Sequence, residues 1–161
     1  MRGIAKATLI SIIVAVALFV FTSFIYFFPW YTTLIVETFN LSQIVAGDNY
    51  LKDSYYHDTL SRLQDKPIFK EYSDEIRITI RREDGKEYNY YDDDETLFET
   101  SMDQDKPYQQ RGHTIEVTIR AVYPLRVKIW GKTITKELDR HFTMKTVGLK
   151  HYKDLDYYTI K

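Results

Sequence analysis

The chain has 161 residues, room for one compact domain with an appendage but not for a second independent core. It holds 22 basic and 23 acidic side chains and no cysteine. These numbers exclude a disulfide framework, a thiolate metal site and a cysteine nucleophile, and they leave none of the positive excess of a dedicated nucleic-acid binder.

Arg2 and Lys6 make a short basic N-terminus, residues 1–6. From Ala7 to Phe28 every residue is apolar or a small hydroxyl. At about 1.5 Å per residue such a run spans a hydrocarbon core of roughly 30 Å, so residues 7–28 read as a transmembrane helix. A cleaved secretory signal is the competing reading, but its apolar region is usually about 7–15 residues, and Ala15-Val16-Ala17 lies in mid-run. No lysine or arginine occurs between Lys6 and Lys52. The positive-inside bias therefore places the N-terminus in the cytoplasm and the rest of the chain outside a cell membrane crossed once. Phe28, Trp30 and Tyr31, in a stretch rich in aromatic residues, read as interface anchors.

Residues 29–64 read as an extracytoplasmic continuation of that helix. Leu34, Leu41, Ile44, Val45, Leu51, Tyr55 and Leu63 are separated by sums of threes and fours, the spacing of one helical face. Glu37, Gln43, Asp48, Lys52, Asp53, Asp58 and Arg62 fall opposite. The expectation is one helix, bent at Pro29 and at Gly47, ending near Gln64 ahead of Asp65-Lys66-Pro67. Leu34, Leu41, Ile44, Val45 and Leu51 are its candidate packing residues against a sheet.

Residues 65–161 supply that sheet. Glu75 to Arg81 alternates, with Ile76, Ile78 and Ile80 on one face; Asp84-Gly85 suits a tight turn, and Glu87 to Tyr91 returns. Asp92 to Glu95 is a solvated acidic loop rather than a calcium loop, since Leu97 stands where the glycine belongs. His113 to Tyr123 alternates up to Pro124, Leu125 to Ile129 continues, Gly131 permits a turn, and a last strand covers about His141 to Val147. The expected fold is α+β: a long N-terminal helix packed on an antiparallel sheet of about five strands.

Residues 37–106 carry eighteen acidic and nine basic residues, and residues 107–161 carry five and eleven. That gradient serves head-to-tail association of copies into a homo-oligomer, or it is neutralised inside one domain. His57, His113, His141 and His151 are scattered without ligand spacing, and there is no phosphate loop, nucleophile elbow or HExxH pattern. The reading is of a chain that is not an enzyme, with no cofactor and no metal. Tyr88, Tyr90 and Tyr91 would be the aromatic platform of a surface sensor or ligand-binding module.

The layout resembles that of type IV pilin-like proteins, and more particularly the TadE-like pseudopilins of bacterial tight-adherence and related secretion systems. Ile115 to Ile134, IEVTIRAVYPLRVKIWGKTI, looks like their final strands. The resemblance implies a membrane-anchored subunit of a secretion, adherence or conjugation apparatus whose partners are other pilin-like or secretion-apparatus subunits. It marks Gly3 as the candidate processing glycine. The scaffold of a conjugation-type channel, built with several short helices around Gly47-Asp48-Asn49, is the alternative.

Overall fold

The computed structural model describes residues 2–91, 106–129 and 132–151. The acidic run Asp92 to Glu95 and the glycine turn at Gly131 lie outside the described residues.

The chain is α+β. Helix α1, Arg2–Asp48, runs for 47 residues with Pro29 inside it. Three hydroxyls of its apolar half turn onto the preceding helical turn. Thr8 donates to the Ile4 carbonyl at 3.0 Å, Ser11 to Ala7 at 3.0 Å and Thr22 to Leu18 at 2.8 Å. Each hydroxyl is thereby satisfied without water. Thr33 donates likewise to the Pro29 carbonyl, next to the position where proline removes a helical N–H.

The expected continuous helix to Gln64 is replaced by two helices. Asn49 takes a φ of 65° and ends α1, as asparagine does more readily than other non-glycine residues. Its buried side chain donates to the carbonyls of Gln109 and Lys150, both at 2.6 Å, and accepts from the Lys150 N–H at 2.9 Å. Gly47 stays inside the helix. Leu51 then lies in an extended link whose carbonyl accepts from the Tyr91 N–H at 3.0 Å. Helix α2, Asp53–Asp65, follows and folds back beside α1. The apolar phase carries across the break because both sides of it bury toward one core, so spacing alone cannot reveal the interruption.

After a 3-10 turn, Lys70–Glu75, the described residues form four strands: β1 Arg77–Arg82, β2 Glu87–Tyr88, β3 Thr114–Ile129 and β4 Lys132–Val147. They form one antiparallel sheet in the order β2-β1-β3-β4. Four strands replace the expected five because the segments on either side of Pro124 are a single strand. Pro124, opposite Glu137, lies past Arg120, the last β3 residue paired with β1, so no second ladder is interrupted there. The last strand begins at Lys132 rather than near His141.

Ile78 faces Ile119 and Ile80 faces Val117 across the ladder, and the same face carries Ile76, Ile115, Ala121 and Tyr123. These bury against Trp30, Leu34, Leu41 and Val45 of α1, with Leu51, Leu63 and Phe69 completing the core. Full burial of each large aliphatic side chain contributes about 1.5–3 kcal/mol, which makes the helix-on-sheet interface the dominant stabilising term. The opposite face is polar. There Glu116 takes Lys145 at 2.7 Å and Arg81 at 3.2 Å, Arg120 pairs with Asp139, and Thr118 meets Thr143 at 2.9 Å. The acidic and basic portions of the chain meet elsewhere, where Arg126 pairs with Glu71 and Lys150 with Asp48 at 3.1 Å.

Candidate functional site

The functionally distinctive region is the junction at which α1 passes from an uncovered apolar rod to the wall of a core. The most apolar stretch of α1 is untouched by the rest of the chain and is long enough to cross a membrane. Ile4, Leu9, Ile13, Leu18, Phe21 and Ile25 all stand exposed along it. An uncovered rod of this length in water is strongly disfavoured, and a bilayer removes that cost.

At the junction the aromatic residues divide. Phe28 is 63% exposed and points away from the domain. Trp30 is 1% exposed, packed against Phe69 and Tyr123 with both ring centroids at 5.3 Å and stacked on Phe27 at 5.8 Å. This corrects the reading of Trp30 as an interface anchor. Its ring lies on the stripe it shares with Leu34 and Leu41, and the stripe continues the core rather than facing lipid. Tyr31 is half-buried, stacked on Phe27 at 5.6 Å and edge-on to Phe142 at 6.5 Å. Burial raises the Tyr123 hydroxyl above the ordinary tyrosine range.

Of the candidate packing residues, Leu34, Leu41, Val45 and Leu51 are fully buried, and Ile44 is half-buried at the edge of the interface. Gly3 lies on the uncovered part of α1 with nothing near enough to touch an added Cβ.

Sequence reasoning placed Glu37 on a polar, outward face. The side chain is 9% exposed, held between Lys66 at 3.3 Å and Arg62 at 3.6 Å. These two contacts pin the end of α2 against the middle of α1. The signal was present: Glu37 is the first acidic residue in the chain, set in a long stretch of apolar and hydroxyl residues, where a carboxylate requires a cationic partner. Phe69, Tyr123 and Phe142, which enclose Trp30 and Tyr31, come from segments distant in sequence and carry no such signal.

The tyrosines do not form one platform. Tyr88 and Tyr91 meet at 4.5 Å, while Tyr90 turns to Tyr56 at 4.7 Å and His57 at 5.4 Å. The Tyr88 hydroxyl is pushed up by burial, so this side chain serves packing. The histidines take separate neighbours: His57 is 3.0 Å from Asp53, and His113 is 2.9 Å from Glu83. Among the described residues no group of three or more histidines and carboxylates is placed to hold a metal ion.

Compared with known proteins, the chain matches no family model, no curated sequence and no solved structure.

Proposed function

We propose that the chain is a single-pass, membrane-anchored subunit of a cell-surface assembly, with its C-terminal domain extracytoplasmic, acting by docking rather than catalysis. The specific form is a pilin-like subunit of a bacterial secretion, adherence or conjugation apparatus. The observation that carries this reading is that one helix is both an uncovered apolar rod and the wall of a folded domain. A subunit so built presents its domain at a fixed height and orientation, which suits assembly. Val36 and Phe39, half-exposed on the outward side of α1, would meet neighbouring subunits.

One feature favours a second form of the same role. The break at Asn49 and the return of α2 along α1, tied by Glu37 to Arg62 and Lys66, make a helical hairpin. This arrangement fits a single-pass scaffold within a conjugation-type channel.

Photo-crosslinking in the native membrane tests both. A crosslinker at Phe39 that yields ladders of copies, or adducts with other secretion components, supports the pilin-like form. Adducts to a polytopic membrane protein formed only from α2 support the scaffold. A protein that stays monomeric and copurifies with no membrane component defeats the assembly role.

A further inference from the structure

β4 forms one edge of the sheet, so every second residue along it directs its N–H and C=O away from β3. Its register with β3 runs without a bulge from Val147 opposite Thr114 to Lys132 opposite Ile129, and the strand contains no proline. Bulges and prolines are common guards of such an edge, and a regular edge is a template for one more strand. Leu138 stands opposite Tyr123, whose ring meets Phe27 at 5.2 Å. The length from Leu138 to Val147 therefore lies on the domain side of the junction, clear of the apolar run.

The two faces of that length differ. On the outer face the polar side chains are matched within the sheet: Asp139 pairs with Arg120, Thr143 meets Thr118 at 2.9 Å, and Lys145 holds Glu116 at 2.7 Å. On the face toward α1, Phe142 and Met144 are half-buried and Arg140 is exposed. The Arg140 guanidinium donates to the Asp139 carbonyl at 3.0 Å, and among the described residues no carboxylate forms an ion pair with it. Helix α1 makes the other wall of this crevice, with Tyr31 edge-on to Phe142 at 6.5 Å and the Ala46 carbonyl accepting from the Leu149 N–H at 3.0 Å. Phe39, on the same side of the helix between Tyr31 and Ala46, is 48% exposed.

The same contacts limit what can cover the edge. Since β4 passes Tyr31 at Phe142 and reaches Ala46 just beyond Val147, it runs in the direction of α1. Copies anchored in one bilayer share the direction of α1, so antiparallel pairing of two β4 strands would invert one rod. Rotation about the membrane normal instead brings up the far edge of a second copy, where β2 has only the residues Glu87 and Tyr88 to offer. A copy of the chain is therefore a poor fit. The lone cation on the helix side also selects, because a strand without a carboxylate there would leave Arg140 against an apolar neighbour.

We propose that the edge of β4 from Leu138 to Val147 receives an antiparallel strand from a different protein of the assembly. Its residues toward α1 are a carboxylate opposite Arg140 and apolar side chains opposite Phe142 and Met144. From its N-terminus, that strand carries the pattern apolar-x-apolar-x-acidic. Main-chain hydrogen bonds supply the affinity and the alternate side chains the choice of partner. The inference rests on the assembly reading and names the surface through which assembly occurs.

The probe is a fluorescein-labelled peptide, Ser-Thr-Leu-Thr-Val-Thr-Glu-Thr-Ser, titrated by anisotropy against the full-length protein in nanodiscs. Saturable binding is expected. Changing the peptide glutamate to glutamine should weaken binding about threefold, Arg140→Gln should do the same, and both together should cost no more than either alone. Methylating alternate peptide nitrogens should abolish binding in one phase and spare it in the other, because only every second N–H faces β4. Arg140 is exposed, so its variant should unfold as the parent does. Absence of saturable binding overturns the edge contact, while crosslinks from Phe39 to other membrane components would still uphold assembly. Equal effects of the two methylation phases overturn strand pairing, and additive losses from the two glutamines overturn the Arg140 assignment. The chain has no cysteine, so copies joined by a disulfide at His141→Cys in the native membrane would show that a second copy occupies the edge, and would overturn the assignment to a different protein.

Discussion

The ring of Tyr123 meets that of Phe27 edge-on, with centroids 5.2 Å apart, and so joins the middle of β3 to the last turns of the apolar rod. This pair, with Trp30 beside it, marks the level at which the domain begins. Replacing Tyr123 with alanine should cost about 3 kcal/mol, the cost of emptying a buried aromatic site. The measurement is denaturant unfolding in detergent followed by near-ultraviolet circular dichroism. Phe28→Ala, one residue from Phe27 but turned outward, should change the same transition by less than about 0.5 kcal/mol.

The Glu37 carboxylate is buried between two cations that remain partly in water. Glu37→Gln should therefore cost only about 1–2 kcal/mol, because Arg62 and Lys66 rehydrate easily. Removing both cations strands the carboxylate and should cost more, about 3 kcal/mol. Equal losses from the two variants in unfolding titrations would show that the ion pairs do not hold α2 to α1.

Asn49 combines a left-handed backbone with three side-chain hydrogen bonds. Asn49→Gly keeps the backbone conformation and loses the bonds; Asn49→Ala loses both. Alanine should be more destabilising than glycine by about 1 kcal/mol in thermal or chemical unfolding. Amide exchange at Lys150, whose N–H donates to the Asn49 side chain, should accelerate in both variants. Identical behaviour of the two would mean that the positive φ carries no strain.

On the polar face of the sheet and at its end, three carboxylates are held below their ordinary range. A hydrogen bond from Lys145 lowers Glu116, one from Arg120 lowers Asp139, and the Thr114 N–H, with His113, lowers Glu83. A carboxylate with a depressed folded-state pKa adds stability that is complete above its ordinary value, 4.5 for glutamate and 3.8 for aspartate. That stability is lost as the pH falls through the folded-state value. The melting temperature should accordingly decline on going from about pH 6 to about pH 3, by a modest amount because all three groups face solvent. High salt should flatten the decline. A melting temperature independent of pH across that span would show that these pairs contribute nothing.

Where one physical signal determines an element, the residues alone displayed it. The apolar run Ala7 to Phe28 is encoded by length and composition, and the strand holding Ile76, Ile78 and Ile80 by strict alternation. Leu34, Leu41 and Val45 declared their shared face by spacing. What stayed hidden depends on contacts distant in the chain. The end of α1 at Asn49 is set by loop carbonyls about sixty and a hundred residues further on, at Gln109 and Lys150. The burial of Trp30 needs Phe69 and Tyr123, and without them a tryptophan after an apolar run reads as a lipid anchor. Pro124 suggested a boundary because proline breaks central strands; only the length of β1 shows that β3 has a single neighbour there. At the junction, the outward role of Phe28 and the inward role of Trp30 differ by two helical positions, a distinction that composition cannot make.

Helix α1 is about 70 Å of unbroken backbone, and the sheet is fastened along its second half. The molecule therefore behaves mechanically as a mast with a sail. Any change in inclination of the lower half, from bilayer thinning, lateral pressure or a neighbour leaning on it, is delivered to the sheet as a swing of the whole body. Pro29, the position that lacks a helical N–H, is where the two halves of the mast meet.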